Sequence, residues 1–225
     1  MKEQLTIQAL FEDLGHSMSA PYLAKLTYPW EILPMISDII REIGATLSEE
    51  EYDRIGEDIW IAKSATVAPT ASISGPCIIG KGTEVRHCAF IRGSALVGDG
   101  AVVGNSTELK NCILFDGVQV PHYNYVGDSV LGYKSHMGAG SITSNVKSDK
   151  TNVTILCDGE RVETGRRKMG AILGDFVEIG CGSVLNPGSI IGSHTNIYPL
   201  SFVRGFVPQN SILKRDGSVV EKREL

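Results

Sequence analysis

The chain reads as mainly β: a parallel β-helix of hexapeptide repeats, with an N-terminal helical segment before the coils and a loop projecting from them. Three observations predict this. Aliphatic residues recur at every sixth position through Ile61, Val67, Ile73, Ile79, Val85, Ile91, Val97, Val103 and Leu109, nine in unbroken register. A small residue sits four places after each of the first eight: Ala65, Ala71, Cys77, Thr83, Ala89, Ala95, Ala101 and Thr107. The 25 glycines accompany only 7% aromatic residues, a leaner core than a sandwich or an α/β domain uses. With about a third of positions aliphatic, nine in register arise by chance on the order of once in twenty thousand starts. Neither the helical period of 3.6 nor the strand period of 2 yields a period of six. Stacked coils do, with three hexads to a triangular turn. The aliphatic residue points inward, the small residue fits near a corner, and backbone groups pair with the coils above and below. The repeat class winds left-handed, against the usual right-handed crossover rule; the spacing alone leaves the hand open.

The elements follow in order. Residues 1–56 lack the hexad pattern and form a helical cap or linker. TIQALFEDL and PWEILPMISDIIREIGATL read as helices, the second with Pro29 in its first turn and Ile32, Ile36, Ile39, Ile40 and Ile43 along one side. Residues 57–206 are the coils. After Leu109 the count slips by one residue to Leu114, continues to Val120 and Val126, slips again to Leu131, and reaches Met137. Residues 146–170 interrupt it. They are polar and place Asp158-Gly159 between two short strand-like runs, a projecting hairpin. The count resumes at Leu173, Ile179, Leu185, Ile191, Ile197 and Val203. Residues 207–225, with Asp216-Gly217, make a terminal hairpin. A β-helix needs its open ends covered, and the helices and this tail are the expected caps.

Composition removes several function classes. A net charge of −5 and a pI near 5.6 argue against nucleic-acid or anionic-membrane binding. No apolar run is long enough to span a bilayer, and the first residues lack a signal-peptide pattern. Five cysteines with no C-x-x-C pair suit free thiols in a reducing, cytoplasmic compartment.

Coil spacing makes neighbours computable. Arg92 and Lys110 follow inward residues 18 apart, so they stack on adjacent coils. Stacked cations repel, and an anion such as a phosphate between them would relieve this. The alternative is two solvated bases, with Glu108 as a partner. In QVPHYNYVGD, His122 stands two residues past inward Val120, near a corner, beneath the small Ala139. An imidazole suits general-base work near neutral pH. A corner histidine bonded to backbone is the plain alternative. The flanking slips favour a site, since irregularity gathers at functional positions.

ELKNCILFDGVQVPHYNYVGDSVLG followed by MGAGSITSN resembles one family of hexapeptide-repeat acyltransferases. It is similar to the acetyltransferase domain of the bifunctional N-acetylglucosamine-1-phosphate uridyltransferase/glucosamine-1-phosphate acetyltransferases, densely over 90–145 and more thinly over 168–203. The resemblance implies acetyl-CoA as co-substrate, an amino-sugar phosphate as acceptor, a homotrimer with sites between subunits, and a place in UDP-N-acetylglucosamine biosynthesis. His122 matches the catalytic base. Arg92 and Lys110 match the sugar-phosphate anchors, Tyr125, Asn145 and Lys168 the sugar contacts, and Ala139, Cys181 and Pro199 the acetyl-CoA contacts. Backbone N–H groups of Gly138 to Gly140 would stabilise the oxyanion. His136 stands where the family has a substrate-contacting asparagine. The segment between Asn145 and Lys168 is longer than the family's. No glycine-rich nucleotidyltransferase segment stands near the start, so only acyl transfer carries over. A metal-dependent carbonic anhydrase on this scaffold needs two histidines five apart, and none of the five histidines forms such a pair. The alternative reading is a non-catalytic sugar-phosphate-binding or scaffold subunit related to sugar nucleotidyltransferases.

Overall fold

The computed structural model describes residues 2–223. The repeat region is a β-solenoid of stacked parallel rungs with three faces. The first face holds Ile59–Ala62, Cys77–Ile79, Ala95–Val97, Ala171–Leu173, Ser189–Ile191 and Phe206–Val207. The second runs from Thr66–Val67 through Val102–Asn105, Gln119–His122 and His136–Met137 to Ser211–Leu213. The third holds Ser72–Ile73, Phe90–Ile91, Ile142–Thr143, Val184–Leu185 and Phe202–Val203. Two long strands, Glu108–Leu114 and Tyr125–Leu131, run from the third face into the first without a break. Inward residues from Val85 to Val203 are buried, as the period of six predicts. Val67 and Ile73 are only partly so, because their rungs have none beneath them.

Both slips have a physical form. Ile61, Ile79 and Val97 align at intervals of 18, whereas Val97, Leu114 and Leu131 align at 17. The missing residue is taken from the corner between the third and first faces. There the strands bend through Asn111 and Asp128, both left-handed at φ 50°. Short Asn and Asp side chains tolerate that conformation better than other non-glycine residues.

The N-terminal segment departs from expectation twice. Its helices are short: Ile7–Leu10 is one turn, and the second helix is confined to Ile36–Gly44 after a 3₁₀ turn at Pro29–Ile32. Tertiary contacts override the first. Phe11 is extended, its ring stacks on Phe115 at 4.9 Å, and Glu12 N donates to the Asp175 carboxylate at 2.7 Å. Pro34, which has no N–H, interrupts the second.

The segment also covers a side, not an end. Outward positions on the first face are Ile78, Leu96, Ile113, Val130, Ile172 and Ile190, all buried in one cluster with Leu5, Ile7, Leu10, Ile32, Ile36 and Ile40. Burying such a side chain contributes about 1.5–3 kcal/mol. Leu10 O, His16 O and Leu33 O accept from Asp175 N, Asp116 N and Asn111 Nδ2. The Trp60 ring lies so close to Gly44 that a Cβ there would sit 2.5 Å from it.

Past Asn145 the chain leaves the solenoid and forms the antiparallel hairpin Thr154–Cys157/Glu160–Glu163 around Asp158-Gly159. It rejoins where Met169 N donates to Asn145 O at 3.0 Å, and Leu131 then pairs with Leu173 in register. At the C-terminal end Ser211–Leu213 adds a rung to the second face and pairs antiparallel with Val219–Glu221.

Candidate active site

His122 ends a rung of the second face, paired with Asn105 on the coil before. Tyr123 turns the corner at φ 52°. Gly140 N donates to His122 O at 2.9 Å, which sets Ala139 over the histidine. Asn124 builds this corner. Its buried amide donates to Gly138 O (2.9 Å) and Ser141 O (3.1 Å), and its Oδ1 accepts from His122 N (3.1 Å). The His122 side chain is exposed and makes no hydrogen bond among the described residues. Neither register slip lies at this corner. Val103 to Leu109 and Val120 to Val126 keep six-residue spacing, and the slips belong to the next corner, at Asn111 and Asp128.

A polar cluster covers the third face beside that next corner. Ile91 aligns with Leu109, so Arg92 and Lys110 do stack. Each has its own carboxylate, however: Arg92 Nη1 lies 2.7 Å from Glu108 Oε1, and Lys110 Nζ 3.2 Å from Asp128. Repulsion between the two cations therefore does not itself require an anion. Asp128 is 4% exposed and gathers three donors: Lys110 Nζ, Asn111 Nδ2 at 2.9 Å and Asn145 Nδ2. Asn145 also donates to the Tyr125 hydroxyl at 3.2 Å. That hydroxyl folds over Gly127, where a Cβ would sit 2.4 Å from it. Burial, then the charges of Asp128 and Glu108, pushes the Tyr125 phenol above its ordinary range. Exposed Lys168 precedes Met169, whose backbone bond to Asn145 O brings the returning chain to this cluster.

Ala139, Cys181 and Pro199 stack in one exposed column, joined by Gly182 N to Ala139 O and Leu200 N to Cys181 O, each 2.9 Å. The oxyanion expectation changes in detail. Gly138 N donates to Ile179 O and Gly140 N to His122 O, so neither is free. Among the described residues, Ala139 N–H and Cys181 N–H make no hydrogen bond. His136 lies apart, in the middle of the second face, with Nδ1 2.8 Å from Glu178 Oε2. One chain thus presents two groups around a corner. Arg92, Lys110, Tyr125 and Asn145 gather at the third face, and exposed Lys168 stands on the chain that returns beside Asn145. His122 heads the Ala139–Cys181–Pro199 column. No hydrogen bond joins the two groups directly among the described residues.

Asp128, Asn111 and Asn124 complete this arrangement without a role expected from the sequence, whereas Glu108 is the partner that the alternative of two solvated bases names. The slip after Val126 was a signal for Asp128, pointing at the wrong corner. No cluster of metal-ligating side chains occurs among the described residues.

A family model described as GMPPB C-terminal domain matches residues 73–220, about two thirds of the chain. A "Bifunctional protein GlmU" from Methanococcus maripaludis is 32% identical over 205 residues, covering 90% of this chain and 50% of that protein. A "Bifunctional sugar-1-phosphate nucleotidylyltransferase/acetyltransferase" from Sulfurisphaera tokodaii is 35% identical over 102 residues, covering 45% of this chain and 25% of that protein. The chain thus spans half or less of the length of these two relatives. Among solved structures, a perosamine N-acetyltransferase from Caulobacter crescentus, in complex with CoA and GDP-perosamine, is 18% identical with a TM-score of 0.39, covering 72% of this chain and 56% of that one. The acetyltransferase domain of PglB from Neisseria gonorrhoeae, with acetyl coenzyme A, is 17% identical with a TM-score of 0.35, covering 80% and 62%. On the extent of the family match, the chain belongs to the GMPPB C-terminal domain family.

Proposed function

We propose that the chain is an acetyl-CoA-dependent N-acetyltransferase acting on an amino-sugar phosphate such as glucosamine-1-phosphate. The observation that carries this reading is His122: an exposed imidazole with no hydrogen-bond partner, directly beneath the unpaired N–H of Ala139. His122 takes a proton from the sugar ammonium. The freed amine attacks the thioester carbonyl and forms the C–N bond. Ala139 N–H stabilises the oxyanion. The C–S bond then breaks, and the amine proton leaves with the CoA thiolate as free thiol. The column Ala139–Cys181–Pro199 is the proposed track for acetyl-CoA, and Cys181 N–H holds one of its amide carbonyls. Tyr125, Asn145 and Lys168 hold the sugar, Arg92 and Lys110 its phosphate, each cation shared with its resident carboxylate. His136 remains a candidate substrate contact only if a partner copy meets the second face.

Because base and anchors lie on different sides of a corner, the reading includes a homotrimer in which the corner of one copy completes the third face of another. Exposed Tyr123 (64%), Leu200 (69%) and Phe202 (71%) line that edge and suit such packing. The N-terminal segment already covers the first face.

The test is acetyl transfer to glucosamine-1-phosphate and galactosamine-1-phosphate, followed by thiol release. His122→Ala should lose about a hundredfold or more in kcat. No transfer by the wild type to any amino-sugar phosphate, or an equally active His122→Ala, defeats the reading. Mixed His122→Ala and Lys110→Ala chains, refolded together, should regain activity that neither has alone, because some shared sites are then intact.

A further inference from the structure

The projecting hairpin encloses a cleft that the proposed chemistry leaves unused. It has a volume of about 550 Å³ and lies between the hairpin and the third face. Its walls carry Lys147, Arg161 and Arg204 against one carboxylate, Asp149. That excess of two positive charges stands out in a chain of net charge −5. The charges are not equivalent. Lys147 Nζ binds Thr151 Oγ1 at 2.6 Å and Asp149 at 3.4 Å, so it and the carboxylate satisfy each other within the loop. The guanidinium groups of Arg161, on the hairpin, and Arg204, on the solenoid, make no ion pair or hydrogen bond among the described residues. Two elements distant in sequence therefore bring unpaired guanidinium groups to one cavity, an arrangement that favours an anion with several oxygens.

The position of Arg204 indicates what kind of molecule reaches the cleft. Strand pairing places Arg92, Lys110, Gly127, Ser144, Asn186 and Arg204 in one outward row of the third face. Four rungs separate Lys110 from Arg204, roughly 19 Å at about 4.8 Å per rung. An amino-sugar 1-phosphate held at Lys110 does not span that distance. A reactant with a second phosphate-bearing end does.

We infer that this cleft is an anion subsite for a phosphate ester or diphosphate at the far end of a reactant lying along the row, held by Arg161 and Arg204. One reactant of the proposed reaction has that chemistry, the phosphorylated adenosine end of the coenzyme; an amino sugar linked to a nucleotide diphosphate, in place of the bare 1-phosphate, would also bring it. Identifying the bound end rests on the acyl-transfer reading; the subsite itself does not.

Calorimetry on the full chain separates the cases, using CoA, 3′-dephospho-CoA, UDP-N-acetylglucosamine and N-acetylglucosamine-1-phosphate as probes. The Arg161→Ala/Arg204→Ala double variant should keep the wild-type melting temperature, since both side chains are exposed. It should weaken binding of the phosphate-bearing probe about tenfold or more, and lysine at both positions should restore part of the loss. A loss for CoA that is smaller for 3′-dephospho-CoA assigns the cleft to the coenzyme. A loss for the nucleotide sugar but not for the 1-phosphate assigns it to the acceptor. Unchanged affinity for all four probes, or no wild-type binding of any, overturns the inference. Acetyl transfer is read separately, so failure of the subsite and failure of the acyltransferase reading remain distinct.

Discussion

Removing the Asp128 carboxylate tests whether one buried group organises the third-face cluster. Asp128→Ala strips an acceptor from Asn111, Asn145 and Lys110. Hydrogen bonds to a charged group contribute about 1.5–3 kcal/mol each. The lower figure applies to the two amides, because Asn111 keeps Leu33 O and Asn145 keeps the Tyr125 hydroxyl. Lys110 is 29% exposed and turns to water, so its share is about 0.5–1 kcal/mol. Alanine at φ 50° adds about 1 kcal/mol of backbone strain, and relief of the buried charge offsets part of the total. The net cost is about 3–4 kcal/mol, or roughly 6–16 °C in melting temperature for a chain of this size. Asp128→Asn keeps an acceptor and tolerates the backbone, so it should lose about half as much. Circular dichroism melts give the shifts. Paired with Asn145→Ala, Asp128→Asn should show a coupling of about 1 kcal/mol. A melting temperature within 2 °C of wild type for Asp128→Ala, or zero coupling, refutes the reasoning.

Three further outcomes follow from the same geometry. Gly127→Ala should displace the Tyr125 ring with little loss of stability, raising the acceptor KM more than it lowers kcat; an unchanged KM would remove Tyr125 from the sugar site. Of the five thiols, exposed Cys88 and Cys181 should react quickly with a maleimide. Burial raises Cys77 and Cys112, the latter to about 12, and these should stay inert; CoA should protect Cys181 and leave Cys88 labelled. Burial also raises Asp175, more than the N–H groups of Glu12 and Tyr133 lower it, while nearby Glu12 raises it further and His16 lowers it. The folded chain therefore holds that proton more tightly than the unfolded one. The stability contributed is full below the ordinary carboxylate value and declines as pH rises through the folded value. The stability of wild type minus Asp175→Asn should therefore fall as pH rises above the ordinary carboxylate range, and a rising difference contradicts the assignment.

The solenoid core was legible because one inward residue in six must be aliphatic, and Val85 to Val203 obey that constraint. The covered face was equally visible but unread. Cys77-Ile78-Ile79, Ala95-Leu96-Val97 and Ala171-Ile172-Leu173 are continuous apolar runs, the mark of strands buried on both sides. The short helices were not legible, because Phe11 chooses between helix and extended chain according to Phe115, distant in sequence. Stacking of Arg92 on Lys110 could be computed from spacing, and Glu108 was visible as a partner; the pairing of Lys110 with Asp128 was not, since it depends on the shortened corner.

The return of the chain at Met169 has a consequence for how such a molecule can diverge. The excursion from Asn145 begins and ends at neighbouring backbone atoms, and the coils beyond it restack as though nothing intervened. Loop-closure entropy grows only with the logarithm of length, about 0.6 kcal/mol per doubling. The excursion can therefore be extended within its exposed stretch 148–152 at little cost to the rungs, while Val153, Ile155 and Cys157, buried in the core cluster, tie its first strand to them. Rungs and loop thus differ in what constrains them: the rungs are bound by stacking to a fixed repeat, while the loop is bound only through its buried strand and is open to change in length beside it.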